Sequence, residues 1–152
     1  MPVALGPGEG VEADGGANKT TMSQRKLYLW ISAIGLLPVG LSYGVLPDES
    51  LGRLFGITVE TTNHLHVFRA ITGLYLGMIV FWILGAVNEK YERAAILSEI
   101  VFMGGLAAGR IVSILVDGWP HWLLTGYTIV EIVLAAIGIV LLRKQRVLEQ
   151  RA

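Results

Sequence analysis

Cysteine is absent from this chain, which excludes disulfides, thiolate metal sites and thiol nucleophiles and leaves the redox compartment unmarked. Histidine is scarce: His64, His66 and His121 are the whole supply, so metal chemistry has little to draw on and neither metal nor cofactor is expected. Charge is thin as well, at 16% of residues, with Lys plus Arg and Asp plus Glu standing at 12 each. That balance gives no basic excess for a nucleic-acid partner and no acidic tail. So little charge cannot clothe a soluble domain of 152 residues; 53% of the chain is hydrophobic and the mean hydropathy is +0.60, which points to lipid as the solvent.

Residues 1–24 contain five Gly, two Pro and scattered acids but no aromatic residue. Such a stretch buries too little apolar surface to offset the entropy of ordering, and it reads as a disordered leader. Four apolar runs follow, over 27–46, 67–87, 94–116 and 122–142. Each is about 20 residues long, the length a helix rising 1.5 Å per residue needs to cross a hydrocarbon core roughly 30 Å thick. The expected fold is therefore all-α: a four-helix transmembrane bundle over 25–146 with short loops, a disordered N-terminal leader and a cytoplasmic tail over 147–152. The first run, after Arg25 and Lys26, imitates a signal peptide, but it is too long for one and lacks a small-residue cleavage site before Pro47.

Basic residues set the orientation. Lys19, Arg25 and Lys26 precede the first span, Lys90 and Arg93 lie between the second and third, and Arg143, Lys144, Arg146 and Arg151 follow the fourth. The positive-inside rule places both termini in the cytoplasm. Trp119, Trp122 and Tyr127 then mark the outer boundary, and Tyr28, Trp30 and Tyr91 the inner one, as aromatic belts. In the outer loop, Glu49 to Ile57 carries apolar residues at helical spacing and is expected to lie along the interface as a short amphipathic turn. A helix N-terminus at Thr61, Thr62 or Asn63 accounts for the residues around His64 and His66 more simply than a metal site does. The remaining two loops are short, so spans two, three and four should pack as antiparallel neighbours.

Ionisable groups inside a bilayer cost about 2.5 to 3.5 kcal/mol each and ordinarily face the bundle interior. Arg69, Glu99, Arg110 and Glu131 are of this kind. Counted inward by helical rise, Arg110 sits roughly 9 Å below the outer boundary, Glu131 about 12 to 14 Å and Arg69 about 3 Å. An Arg110–Glu131 ion pair between adjacent helices is the natural solution. Arg69 is expected to complete the group, with Asp117 and His66 or His121 at its mouth. Glu99, near the inner side, is expected to snorkel or to pair with Arg93 or Lys90. The simplest role of the Arg110–Glu131 pair is to fix helix register; Arg69, Arg110, Asp117 and Glu131 are also the candidate ligand-binding residues.

Small residues mark expected packing faces. Gly73 and Gly77 form a GxxxG in the second span, Gly105 and Gly109 another in the third, and Ala135 and Gly138 follow Glu131 in the fourth. Their other reading is a cavity beside the charges that admits a lipid-like or quinone-like molecule. Pro38, flanked by Gly35 and Gly40, should kink the first span.

The order Arg69, Gly73-Leu74-Tyr75-Leu76-Gly77, Gly104-Gly105, Gly109-Arg110, Ser113, Asp117-Gly118, Pro120 and Glu131 resembles that of a bacterial family of small four-helix membrane proteins of unknown function. The resemblance covers nearly all of 27–142. In that family an Arg opening the second helix, an Arg and Asp-Gly-x-Pro near the end of the third, and a Glu in the fourth recur. The family is in turn distantly similar to DoxX-like membrane proteins, by architecture more than by motif. The resemblance implies the fold and the choice of residues and supplies no activity.

The sequence holds no nucleophile set, metal cluster or nucleotide loop. The expected function is therefore that of a non-enzymatic or accessory protein of the bacterial inner membrane with a polar Arg/Glu cluster in its outer half. The alternative is a small membrane enzyme or carrier that holds a lipid-, quinone- or sterol-like molecule near Arg69, Arg110 and Glu131. Candidate partners are membrane lipid, a small amphipathic ligand, and either a second copy of the chain or a larger complex in which it is an accessory subunit.

Overall fold

In a computed structural model that describes residues 15–149, the chain forms five helices: α1 (Gly15–Gly44), α2 (Pro47–Phe55), α3 (Thr62–Val87), α4 (Glu89–Asp117) and α5 (Trp122–Glu149). No strand occurs among the described residues. Four segments, Gln24–Gly44, Thr62–Val87, Glu89–Asp117 and Trp122–Lys144, are long and apolar enough to cross a bilayer, and the chain is a multi-pass membrane protein built on them. The outward surface agrees, with Ile34, Val101, Leu115 and Val116 exposed, an apolar coat far beyond what water tolerates. Of the leader expected over 1–24, residues 1–14 lie outside the described residues, and 15–24 open α1. At the other end α5 continues to Glu149, and residues 150–152 lie outside the description.

The loops follow from their capping residues. Thr61 Oγ1 accepts the His64 amide at 3.2 Å and starts α3. Asn88 alone separates α3 from α4; its amide donates to the Leu84 carbonyl while its Oδ1 accepts the Lys90 amide at 3.0 Å. One residue thus ends one helix and begins the next, which forces α3 and α4 into an antiparallel pair. Gly56 and Gly118, at φ 70° and 96°, end α2 and α4 in a backbone region closed to most side chains. The amphipathic turn expected over Glu49 to Ile57 is helix α2, which buries Leu51 and Phe55 against the bundle.

Helix α1 packs most extensively on α3, α3 on α4 and α4 on α5, while α1 meets α5 only sparsely. Close approach of α1 to α3 depends on Gly40 and Gly44: a Cβ at Gly40 would stand 2.9 Å from the Tyr75 Cβ, and one at Gly44 would overlap the Thr72 side chain. Thr72 uses the proximity to donate to the Gly40 carbonyl at 2.9 Å, two residues beyond Pro38. Gly85 and Gly138 play the same part against Ala95 and Ile100. Trp82, fully buried, donates from its indole Nε1 to Ser98 Oγ at 3.2 Å, so its polar edge is satisfied in the core.

Two expectations are corrected by this packing. The GxxxG pairs Gly73/Gly77 and Gly105/Gly109 are not packing faces within the chain, since nothing lies within 4 Å of a Cβ built on any of the four. The reason on α3 is angular: Tyr75 is buried, and Gly73 and Gly77 stand two residues to either side, about 200° around the helix. Tyr28 and Tyr127 are not belt residues either, because Tyr28 is buried and Tyr127 half-buried beside Arg110. Trp119 and Trp122 remain exposed, as a belt requires.

Candidate functional site

Arg110, on α4, donates from Nε to both carboxylate oxygens of Glu131, on α5, at 3.0 Å each. The two residues are 21 apart in sequence, and the tight turn at Gly118 to His121 brings them level. The Arg110 guanidinium carbon also stands 5.9 Å from the centre of the Tyr127 ring, close enough for the ring face to help hold the cation. Glu131 is the more deeply buried partner, its side chain 8% exposed against 20% for Arg110. The expected pair is therefore present, and its charges compensate each other away from water.

The other sequence-named residues take different places. Asp117 is exposed and accepts from Ser113 Oγ at 2.8 Å; Ser113 and Arg110 together line a small pocket of about 90 Å³ with Pro120 and Thr128. Asp117 thus stands at the rim of the group without an ion pair to Arg110. Arg69 is exposed on α3 and has no ion-pair partner among the described residues. It lies six residues before buried Tyr75, about 240° around the helix, so it shares the outward face of Gly73 and Gly77. His66 and His121 are exposed too, and His121 Nδ1 accepts the Leu123 amide at 3.4 Å near the start of α5. Among the described residues no three His, Asp or Glu side chains gather as a metal site would need.

Beside Glu131 lies a cavity of about 240 Å³ whose wall includes Ser32, Gly35, Tyr75, Met103, Tyr127 and Glu131. Its lining is almost wholly apolar, even though Glu131 and the hydroxyl-bearing Ser32, Tyr75 and Tyr127 contribute to the wall. Ile31, Gly35 and Val130 line it and are also exposed, so it opens sideways between α1 and α5, where those helices barely touch. Nothing lies within 4 Å of a Cβ built on Gly35; the missing side chain is part of the opening. A run of ring contacts, Tyr127 edge-on to Phe55 at 6.1 Å, Phe55 stacked on Tyr43 at 6.3 Å and Tyr43 tilted against Tyr75 at 5.7 Å, ties α2 to the cavity wall.

A second buried carboxyl sits behind the cavity floor. Glu99 is fully buried and accepts from the Tyr28 hydroxyl and from Ser32 Oγ, the latter at 3.2 Å; Tyr28 OH is also 2.9 Å from the Leu134 carbonyl. This corrects the expectation that Glu99 snorkels or pairs with Arg93 or Lys90. Tyr28 and Ser32 are four apart on α1 and so share one face, and that face meets Glu99. The spacing of the two hydroxyls was the available signal, but it gains meaning only once α1 is known to touch α4. The ion pairs between α1 and α4 lie about two and three turns away along α4: Arg25 Nε lies 2.8 Å from Glu92 Oε1, and Lys26 Nζ 3.1 Å from Glu89 Oε1. In the first pair the N–H is not aimed at the oxygen, and Glu92 Oε2 has no hydrogen-bond partner among the described residues. That contact is ionic more than directional.

No curated protein and no solved structure gives a significant match to the chain. A family described as a domain of unknown function (DUF4345) matches residues 25–142, a range that takes in the Arg110–Glu131 pair, Glu99 and the entire cavity lining, and the chain belongs to that family.

Proposed function

We propose that this is a non-enzymatic or accessory protein of the bacterial inner membrane that holds a small amphipathic molecule in the cavity between α1 and α5. One observation carries the reading: an apolar space of about 240 Å³ that has Glu131 and Tyr127 among the residues lining it. An apolar pocket with a few convergent polar groups is the usual form of a small-molecule site. The Arg110–Glu131 pair then has two uses, as it fixes α4 against α5 and gives the ligand's polar end a neutralised edge to meet. The sideways opening suits a molecule that arrives dissolved in lipid rather than water. In this reading both termini are cytoplasmic, in line with the basic residues near them, the Arg110 end lies in the outer leaflet, and the kinship with DoxX-like proteins is one of architecture.

A small enzyme or carrier acting on a lipid-, quinone- or sterol-like molecule is the second reading, and what favours it is the Glu131 carboxylate on the cavity wall, where a proton acceptor would be wanted. Mass spectrometry of small molecules co-purified with the detergent-extracted protein tests the first reading. A molecule enriched over bulk lipid should accompany the natural protein and be lost from Gly35→Phe, whose ring fills the opening. Identical small-molecule content in the two proteins would refute the site; a ligand recovered chemically altered would favour the enzyme.

A further inference from the structure

A second, longer groove runs along the α1–α5 seam toward the opposite end of the bundle. Its volume is about 510 Å³, and Leu27, Ile31, Ile137 and Val140 form its apolar walls, with Gln24 and Lys144 at one end. Ile31 and Leu134 line both this groove and the cavity beside Glu131, so the groove starts where the cavity stops. From Leu134 to Lys144 the helical rise gives roughly 15 Å, which is half of a hydrocarbon core roughly 30 Å thick. The groove is therefore one leaflet long. Lys144 is also the last residue of the fourth membrane-spanning segment, the depth at which a long basic side chain reaches out to the headgroups.

We propose that this groove binds one anionic phospholipid, with an acyl chain along Leu27, Ile31, Ile137 and Val140 and the phosphate at Lys144 and the Gln24 amide. Charge complementarity selects this occupant over the hydrophobic face of a second copy of the chain. Among the described residues that line the groove, Lys144 at its mouth is the one that carries a charge at neutral pH; a packed helix would leave that cation facing apolar residues, whereas a phosphate pairs with it. The site does not depend on the cavity beside Glu131, so the two ligands can be tested apart.

Native mass spectrometry of the detergent-solubilised protein, titrated with phosphatidylglycerol or phosphatidylcholine of equal chain length, provides the test. The natural protein should retain phosphatidylglycerol in preference to phosphatidylcholine. Lys144→Gln should reduce that preference about fivefold, the usual effect of one basic residue at a membrane surface, while Lys144→Arg keeps it. Arg143→Gln removes a neighbouring charge that does not line the groove and should leave the preference unchanged. Ala136→Phe, which fills the groove, should weaken retention of both lipids without lowering the unfolding temperature. Equal loss in Arg143→Gln and Lys144→Gln would overturn the proposal in favour of a diffuse surface charge. A dimer in the spectrum that Ala136→Phe dissociates would overturn it in favour of a second copy of the chain.

Discussion

Arg110 and Glu131 meet through a single guanidinium nitrogen that is 3.0 Å from each carboxylate oxygen, within a pair of membrane-spanning helices. Removing one partner strands the other's charge in the hydrocarbon region. Arg110→Met and Glu131→Leu should each lower stability by about 2.5 to 3.5 kcal/mol. The double substitution should recover most of that loss, because apolar residues of similar volume replace a buried pair at little cost. Thermal unfolding in a fixed detergent checks both statements; single variants as stable as the parent would show that the pair does not hold α4 to α5.

Glu99 is held by hydroxyls alone, with no cation within ion-pair distance among the described residues. Glu99→Gln retains an oxygen that can accept from Tyr28 or Ser32 and should change stability by less than about 1 kcal/mol. Glu99→Leu leaves the Ser32 hydroxyl without its acceptor, at about 1 to 3 kcal/mol, while the Tyr28 hydroxyl keeps the Leu134 carbonyl. Chemical denaturation of the three proteins side by side measures the difference. Equal losses from the glutamine and leucine variants would show that the negative charge, rather than the hydrogen bonds, matters there.

The glycines divide into two classes that mutagenesis should separate. Gly85→Ala sets a methyl group against the Ala95 side chain and should destabilise by about 1 to 3 kcal/mol. Gly77→Ala meets open space and should be neutral or stabilising by about 0.5 to 1 kcal/mol, since alanine is the better helix former. Unfolding temperatures in detergent read both. A loss from Gly77→Ala that depends on protein concentration would show this face covered by a second copy of the chain.

The absence of cysteine makes the proposed orientation simple to read. Glu60→Cys, between α2 and α3, should react with a membrane-impermeant maleimide in intact cells, whereas Lys90→Cys, at the start of α4, should react only after permeabilisation. Both positions are exposed, so labelling reports sidedness rather than burial. The reverse pattern would place the termini outside.

The four spans and the Arg110–Glu131 pair were legible in the sequence because both follow from one-dimensional quantities: the length of an apolar run, and the depth of a charge counted along it. Helix α2 and a helix start within Thr61 to Asn63 were legible from local chemistry, and the cap is Thr61. The surroundings of Glu99 were not, because they require α1 to touch α4, and no residue states which of several apolar helices its neighbour is. The same gap misplaced the glycines: Gly73 and Gly77 follow the contact motif, yet the closest approach of α1 to α3 uses Gly40 and Gly44. The cavity was beyond reach for a further reason, as it arises where α1 and α5 fail to meet, and a missing contact leaves no mark on either helix.

A density map of the protein reconstituted in lipid nanodiscs would show whether the cavity between α1 and α5 holds a molecule. Elongated density is expected in the space bounded by Ser32, Gly35 and Tyr127, ending against Glu131 with Arg110 still bonded to it. A map in which α1 closes onto α5 and fills that space with Ile31 and Val130, or in which Arg110 and Glu131 point apart toward the acyl chains, would contradict the proposed site.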